Sequence, residues 1–226
     1  MASAVDQAAP ALRVVGAALD ALVALDLTPV AAAADALAQR IDAGGALYVF
    51  GSGHSQLLAL EGHYRAGGPT WVHPVLDDRL SPARGAALST AERTAGIGGD
   101  LVAHVTAADA LLVASTSGRN AVPLEVATRG RANGALLIAL TSCRAGSRLD
   151  TLADHVLDTQ VPAGDAMVEV RGTRMGPVST VVGAALLHAL LAETVERLAT
   201  PEVLVSTNLT DNHNTHDDAA TRRSSV

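Results

Sequence analysis

Two stretches of the chain repeat one design, and together they restrict the fold more than any other feature. In the first, the apolar run Leu47-Tyr48-Val49-Phe50 breaks into Gly51-Ser52-Gly53-His54-Ser55, and Leu57, Leu58 and Leu60 then begin a helical pattern. In the second, residues 111–114 are apolar and break into Ser115-Thr116-Ser117-Gly118-Arg119-Asn120. Val122, Val126 and Ala127 follow at helical spacing, with Pro123 in the first turn, where proline is tolerated. A strand, a polar loop and a helix make half of a right-handed crossover in a parallel sheet. Two such units in one domain bring both loops to the same carboxyl edge, where open α/β sheets bind ligands. Small hydroxyl-bearing residues ahead of a helix start offer O–H and N–H donors, which suits that edge to an anion.

The rest of the chain keeps the same alternation. Helices are predicted over 4–27 and 30–43, closed by Thr28-Pro29 and Gly44-Gly45. A strand over 46–50 leads through the first loop to a helix over 55–66, which Gly67-Gly68-Pro69 ends. Strands are predicted at 71–75, 110–114, 135–140 and 155–158, with an edge strand at 167–170. Residues 77–94 read as a long irregular loop, the kind that often walls a ligand site. Helices are predicted at 98–105, at 121–132, in a short turn at 147–152, and over 176–198. This is an α/β chain with a parallel sheet covered on both faces. It divides into an N-terminal helix (1–30), one domain (31–200) and a polar tail (201–226) rich in Asn, Asp and His.

Composition narrows the function. At 226 residues and 49% apolar content the chain supports one full core. A net charge of -7 and 2% aromatic residues argue against a nucleic-acid partner, which would need basic patches and stacking platforms. No uninterrupted apolar run reaches the ~18 residues that span a bilayer, and the N-terminus has no basic leader region. These features fit a cytoplasmic protein with no membrane partner. The single cysteine, Cys143, rules out an internal disulfide and a multi-cysteine zinc site, and reads as a small buried side chain. All 16 basic residues are arginine. Without lysine there is no Schiff-base chemistry and no P-loop, and Gly51-Ser52-Gly53 lacks the third glycine of a dinucleotide fingerprint. No cofactor and no metal site are expected; His213 and His216 lack a carboxylate scaffold beside them.

The two loops, with Leu140-Thr141-Ser142 beyond them, resemble the SIS (sugar isomerase) phosphosugar-binding domain, and the resemblance spans about residues 31–199. Ala114-Ser115-Thr116-Ser117-Gly118-Arg119-Asn120 is its most specific part. The chain looks nearest to small stand-alone members such as phosphoheptose isomerases. The resemblance implies a three-layer αβα sandwich around a five-stranded parallel sheet, flavodoxin-like, with helices added at the N-terminus. It also implies a homodimer or homotetramer with sites near the subunit interface. By the same resemblance, Ser115, Thr116, Ser117 and Asn120 hold the phosphate of a sugar phosphate. Ser52, Gly53, His54 and Ser55 face the sugar hydroxyls, and Thr141 and Ser142 stand nearby.

Aldose–ketose isomerisation needs a base that moves a proton between adjacent carbons, and a second group that serves the oxygens. Glu61, on the helix after the first loop, is the first candidate for the base. His54, inside that loop, and His213, in the tail, are the candidate histidines. His188 sits in an apolar helix and reads as a buried, hydrogen-bonded side chain. Glu125 follows the serine loop and fits either acid–base work or pairing with an arginine. Arg65, Arg119 and Arg174 are candidates for a bidentate phosphate contact, and Arg119 lies in the loop itself. Two alternatives stay open: a non-catalytic phosphosugar-binding regulator, and a phosphosugar lyase or etherase.

Overall fold

The computed structural model describes residues 8–205; residues 1–7 and 206–226, and with them His213 and His216, lie outside the described residues. Five strands form one parallel sheet: β1 (Leu47–Gly51), β2 (Val72–Val75), β3 (Ala110–Ala114), β4 (Leu136–Thr141) and β5 (His155–Asp158). Their spatial order is β2-β1-β3-β4-β5. The central strand β3 is buried along its whole length, as a parallel strand covered on both faces must be. Its side chains alternate. Ala110, Leu112 and Ala114 enter one apolar cluster, and Leu111 and Val113 enter the other.

Three helices cover the first face: α2 (Thr28–Asp42), α3 (Gln56–Gly62) and α7 (Ser179–Arg197). α2 buries Val30, Ala33, Ala34, Leu37, Ala38 and Ile41, an unbroken helical stripe whose alanines let it lie close to α7. α1 (Ala8–Val23) packs on α7 from outside. α7 is long and apolar enough to cross a membrane by length and composition. Here it is a core helix, with Val182, Gly183, Leu186, Leu187, Leu190 and Leu191 buried. α6 (Ala121–Ala132) covers the second face, joined by the short helices α4 (Ala86–Ala91) and α5 (Gly98–Leu101). The three layers and the five parallel strands agree with expectation.

Local departures have local causes. α3 ends at Gly62 rather than at 66, because Tyr64 takes a left-handed backbone with φ 45° and turns the chain toward β2. α5 covers only the first part of the helix expected at 98–105. The stretch 147–152 forms turns instead of helix, with the Ser147 hydroxyl accepting the Leu149 N–H. The expected edge strand near 167–170 is half of a separate hairpin, β6 (Ala166–Val170) and β7 (Thr173–Pro177). Arg171 (φ 51°) and Gly172 (φ 77°) connect the two strands in the doubly left-handed turn that X-Gly pairs favour.

Gly51 closes β1 where the chain folds back tightly. A Cβ there would stand 2.2 Å from the Ser55 carbonyl oxygen. Gly51→Ala is therefore expected to lower stability by about 1–3 kcal/mol or more, since backbone rather than a flexible side chain must yield. A chemical-denaturation midpoint equal to that of the parent would contradict this account of the turn.

Candidate functional site

β1 and β3 pair in parallel with Gly51 opposite Ala114, so the loops that follow them leave the sheet side by side. Between them lies a cleft of about 450 Å³. Ser52, His54 and Ser55 line it from the first loop, and Ser115, Thr116, Ser117, Arg119 and Asn120 from the second. The far wall is the 162–165 turn with Ser179 at the start of α7. The volume lies within the range of small-ligand sites.

The serine loop is held from beneath. Its Ser115 N–H donates to the Leu140 carbonyl (3.0 Å), and its Ser115 hydroxyl accepts the Gly118 N–H (3.2 Å). Gly118 has φ 56°, and a Cβ there would meet the Ser147 hydroxyl at 1.9 Å, so only glycine makes this turn. The Thr141 hydroxyl donates to the Ser115 carbonyl at 2.7 Å, and that of Ser142 donates to the Val161 carbonyl at 2.5 Å. Both residues are fully buried, and neither lines the cleft. Expected beside the ligand, they instead hold backbone, Thr141 that of the serine loop and Ser142 that of Val161 and Ala145, because their hydroxyls face into the protein. Gly53, left-handed at φ 60°, shapes the first loop from a buried position and also lies off the cleft wall. Asn120 precedes α6 but makes no side-chain cap, so its amide remains at the cleft wall.

Arg119 lines the cleft, but its guanidinium donates to the carbonyls of Ala145 and Gly146. It ties the loop after β4 to the serine loop and leaves its charge beside the cleft. Asp165 also lines the cleft, with its carboxylate at the start of α7. It accepts the Val178 N–H at 3.0 Å, the Ser179 N–H at 2.8 Å and the Ser179 hydroxyl.

Asp165 was not anticipated, and neither was a second cleft carboxylate, Glu92. Glu92 closes α4, and its Oε2 accepts the Ser52 hydroxyl at 3.1 Å. Its side chain is largely buried, with the Arg93 guanidinium 3.6 Å from the other oxygen. The segment around it has little periodicity, and the available signal was the position of a glutamate in a long loop between two ligand-type loops.

Glu61 lies elsewhere. Its carboxylate, on α3, pairs with Arg65 and stands 2.9 Å from Nε2 of His188 on α7. Neither Glu61 nor His188 lines the cleft; Arg65 and His188 border a second cavity of about 470 Å³ between α3 and α7. Partial desolvation, with the Arg65 charge nearby, holds the His188 pKa below the usual histidine range. His188 is hydrogen-bonded as expected, but it is exposed rather than buried. Arg65 is engaged by Glu61, and Arg174 is exposed on β7. Of the described histidines, His54 alone lines the cleft.

Two further expectations change. The Glu125 carboxylate pairs with no arginine among the described residues: it accepts the N–H groups of Gly96 (2.7 Å) and Gly98 (2.9 Å). Cys143 is exposed rather than buried; desolvation of its thiol, with the Asp158 charge beside it, pushes its pKa up to about 11. Such a thiol is a poor nucleophile at neutral pH. Among the described residues no group of three or more His, Cys, Asp or Glu side chains is placed to hold a metal ion.

Comparison with known proteins places this arrangement. A UPF0309 protein of Brucella ovis is 40% identical over 178 residues, 74% of either chain. The solved phosphoheptose isomerase of Neisseria gonorrhoeae superposes with a TM-score of 0.54 at 21% identity, over 81% of this chain and 92% of that one. The Vibrio vulnificus NanR protein complexed with ManNAc-6P gives 0.59 at 14% identity, over 97% of this chain and 69% of that one. Both structures share the fold. The SIS domain family model matches residues 12–142, which takes in both loops and the four strands β1 to β4, and the chain belongs to the SIS domain family.

Proposed function

We propose that the chain binds a phosphorylated sugar in the cleft between the two loops and catalyses its aldose–ketose isomerisation. The observation that carries this reading is the convergence of the serine loop, the start of α6, the first loop and the Glu92 carboxylate on one cleft. The phosphate sits on Ser115, Thr116, Ser117 and Asn120. There hydroxyls, backbone N–H groups and the positive end of a 12-residue helix converge, and Arg119 adds charge. The sugar then lies against Ser52, His54 and Ser55. Glu92 takes the role first expected of Glu61: as carboxylate it removes the proton from the carbon beside the carbonyl and returns it to the neighbouring carbon. His54 serves the oxygens of the enediol. The support is chemical placement, together with a family whose solved relatives include a phosphoheptose isomerase and a protein holding ManNAc-6P.

A second reading rests on a separate observation. Glu61 and His188 form a carboxylate–imidazole pair on a face where Leu57, Leu60 and Val181 are exposed. Such a face suits a second copy of the chain, and in a homodimer the pair would work at the partner's cleft. In that case Glu61 with His188, rather than Glu92 with His54, supplies the chemistry.

Binding and turnover are measured on a panel of pentose, hexose, heptose and amino-sugar phosphates, ManNAc-6P included. Ser115→Ala and Ser117→Ala are each expected to weaken binding of the preferred sugar phosphate by about 10–100-fold, the worth of a hydrogen bond to a charged group. Calorimetric affinities unchanged in both variants would remove the serine loop as the phosphate site. Glu92→Gln is expected to lower kcat by about 100–10,000-fold and to weaken sugar-phosphate binding by about tenfold or more, since the same carboxylate meets the sugar. If Glu61→Gln alone produces that loss, the second reading replaces the first. Intact binding with no turnover or cleavage on any panel member rejects catalysis and leaves a phosphosugar-binding regulator.

His188 also makes a pH prediction. Its native pKa lies below the unfolded value of 6.5, so between the two the unfolded chain binds more protons. Stability is therefore lost as pH falls from about 6.5 through the lower native value. His188→Asn should flatten the melting temperature over that acid window relative to the parent; equal slopes would contradict a lowered native pKa.

A further inference from the structure

The segment that carries Glu92 is not free-standing. It is fastened at three points to the first two turns of α6, the helix that the serine loop opens. The Val122 N–H, a first-turn donor that the Asn120 side chain does not cap, donates to the Glu92 carbonyl at 3.1 Å. One turn later the two Glu125 carboxylate oxygens take the N–H groups of Gly96 and Gly98, one each. The fit is close: a Cβ on Gly98 would stand 2.5 Å from the Val122 carbonyl oxygen. Glycine there lets the segment lie directly on the helix.

From this geometry we infer that Glu125 is a positioning residue: it holds the 92–98 segment on α6, so that the Glu92 carboxylate stands over the first loop while the same helix start receives the anion. The inference rests on the proposed use of the cleft and deepens it. Glu125 does not line the cleft. It acts because its carboxylate is an acceptor on both oxygens, which matches two N–H groups two residues apart. Glutamine keeps one acceptor and turns an NH2 group toward the other N–H, so Glu125→Gln loosens one fastening without removing side-chain volume. Gly98→Ala tests the same coupling from the other side, by lifting the segment off the helix with Glu125 intact.

The test separates positioning from mere folding. Affinities for inorganic phosphate and for the best-bound sugar phosphate of the panel are measured calorimetrically, and their ratio isolates the contribution of the sugar. Phosphate affinity should stay within about threefold in Glu125→Gln, since the serine loop is unaltered. The sugar contribution should fall by about tenfold or more, because a displacement near 1 Å is costly at a built site. Gly98→Ala should do the same. In the double variant Glu92→Gln/Glu125→Gln the loss should equal that of Glu92→Gln alone. Additive losses, or an unchanged sugar contribution in both single variants, overturn the inference.

Failure of the proposed function reads differently. If no sugar phosphate binds the parent, amide hydrogen exchange decides the positioning claim by itself. Faster exchange at Val122 as well as at Gly96 and Gly98 in Glu125→Gln supports it, and a change confined to the two glycines overturns it.

Discussion

The register between β1 and β3 is the constraint on which the rest depends. Gly51 stands opposite Ala114 at the last rung of a parallel ladder, so the backbone itself decides that the first loop and the serine loop begin at one height. Neither loop needs long side chains to reach the other. Small residues suffice, because strands in a sheet lie ~4.8 Å apart. The burial of β3 on both faces keeps this register from slipping, since a one-residue shift would exchange the contents of the two apolar clusters.

Around that ladder the protein uses hydroxyls and carboxylates in two ways. Some are turned inward onto backbone: Thr141 beneath the serine loop, Ser142 on the Val161 carbonyl, Glu125 on the glycines after α4. Others, on Ser52, Ser117 and Glu92, line the cleft. The first group immobilises the second. A polar side chain that satisfies a buried N–H or carbonyl removes a desolvation penalty and fixes a loop at once.

Much of this was legible in the sequence where the signal is local. The apolar runs, the hydroxyl-rich breaks and the helix that tolerates Pro123 are short-range features, and the sheet, its parallel sense and the pairing of the two loops follow from them. Thr141 and Ser142 show where local reading stops: the same residue types line a cleft or buttress it depending on which way the strand end points. Glu61 and Glu92 show it again. Glu61 sits on a clean helical pattern and faces the α3–α7 surface, while Glu92 comes from an irregular stretch whose path is set by tertiary contacts with α6. The β6–β7 hairpin was half visible, because Arg171-Gly172 is a turn signal but the strand beyond it, exposed and weakly apolar, is not.

That hairpin has a consequence for how the architecture can vary. Its ladder closes on itself, outside the five-stranded sheet, and the Asp165 cap joins its base to the rim of the cleft. Residues can be inserted or deleted at its tip without any partner in the central layers having to respond. Among chains built on the same sheet, this appendage is where size can drift most freely, and its drift would reshape the entrance of the cleft while leaving the floor unchanged.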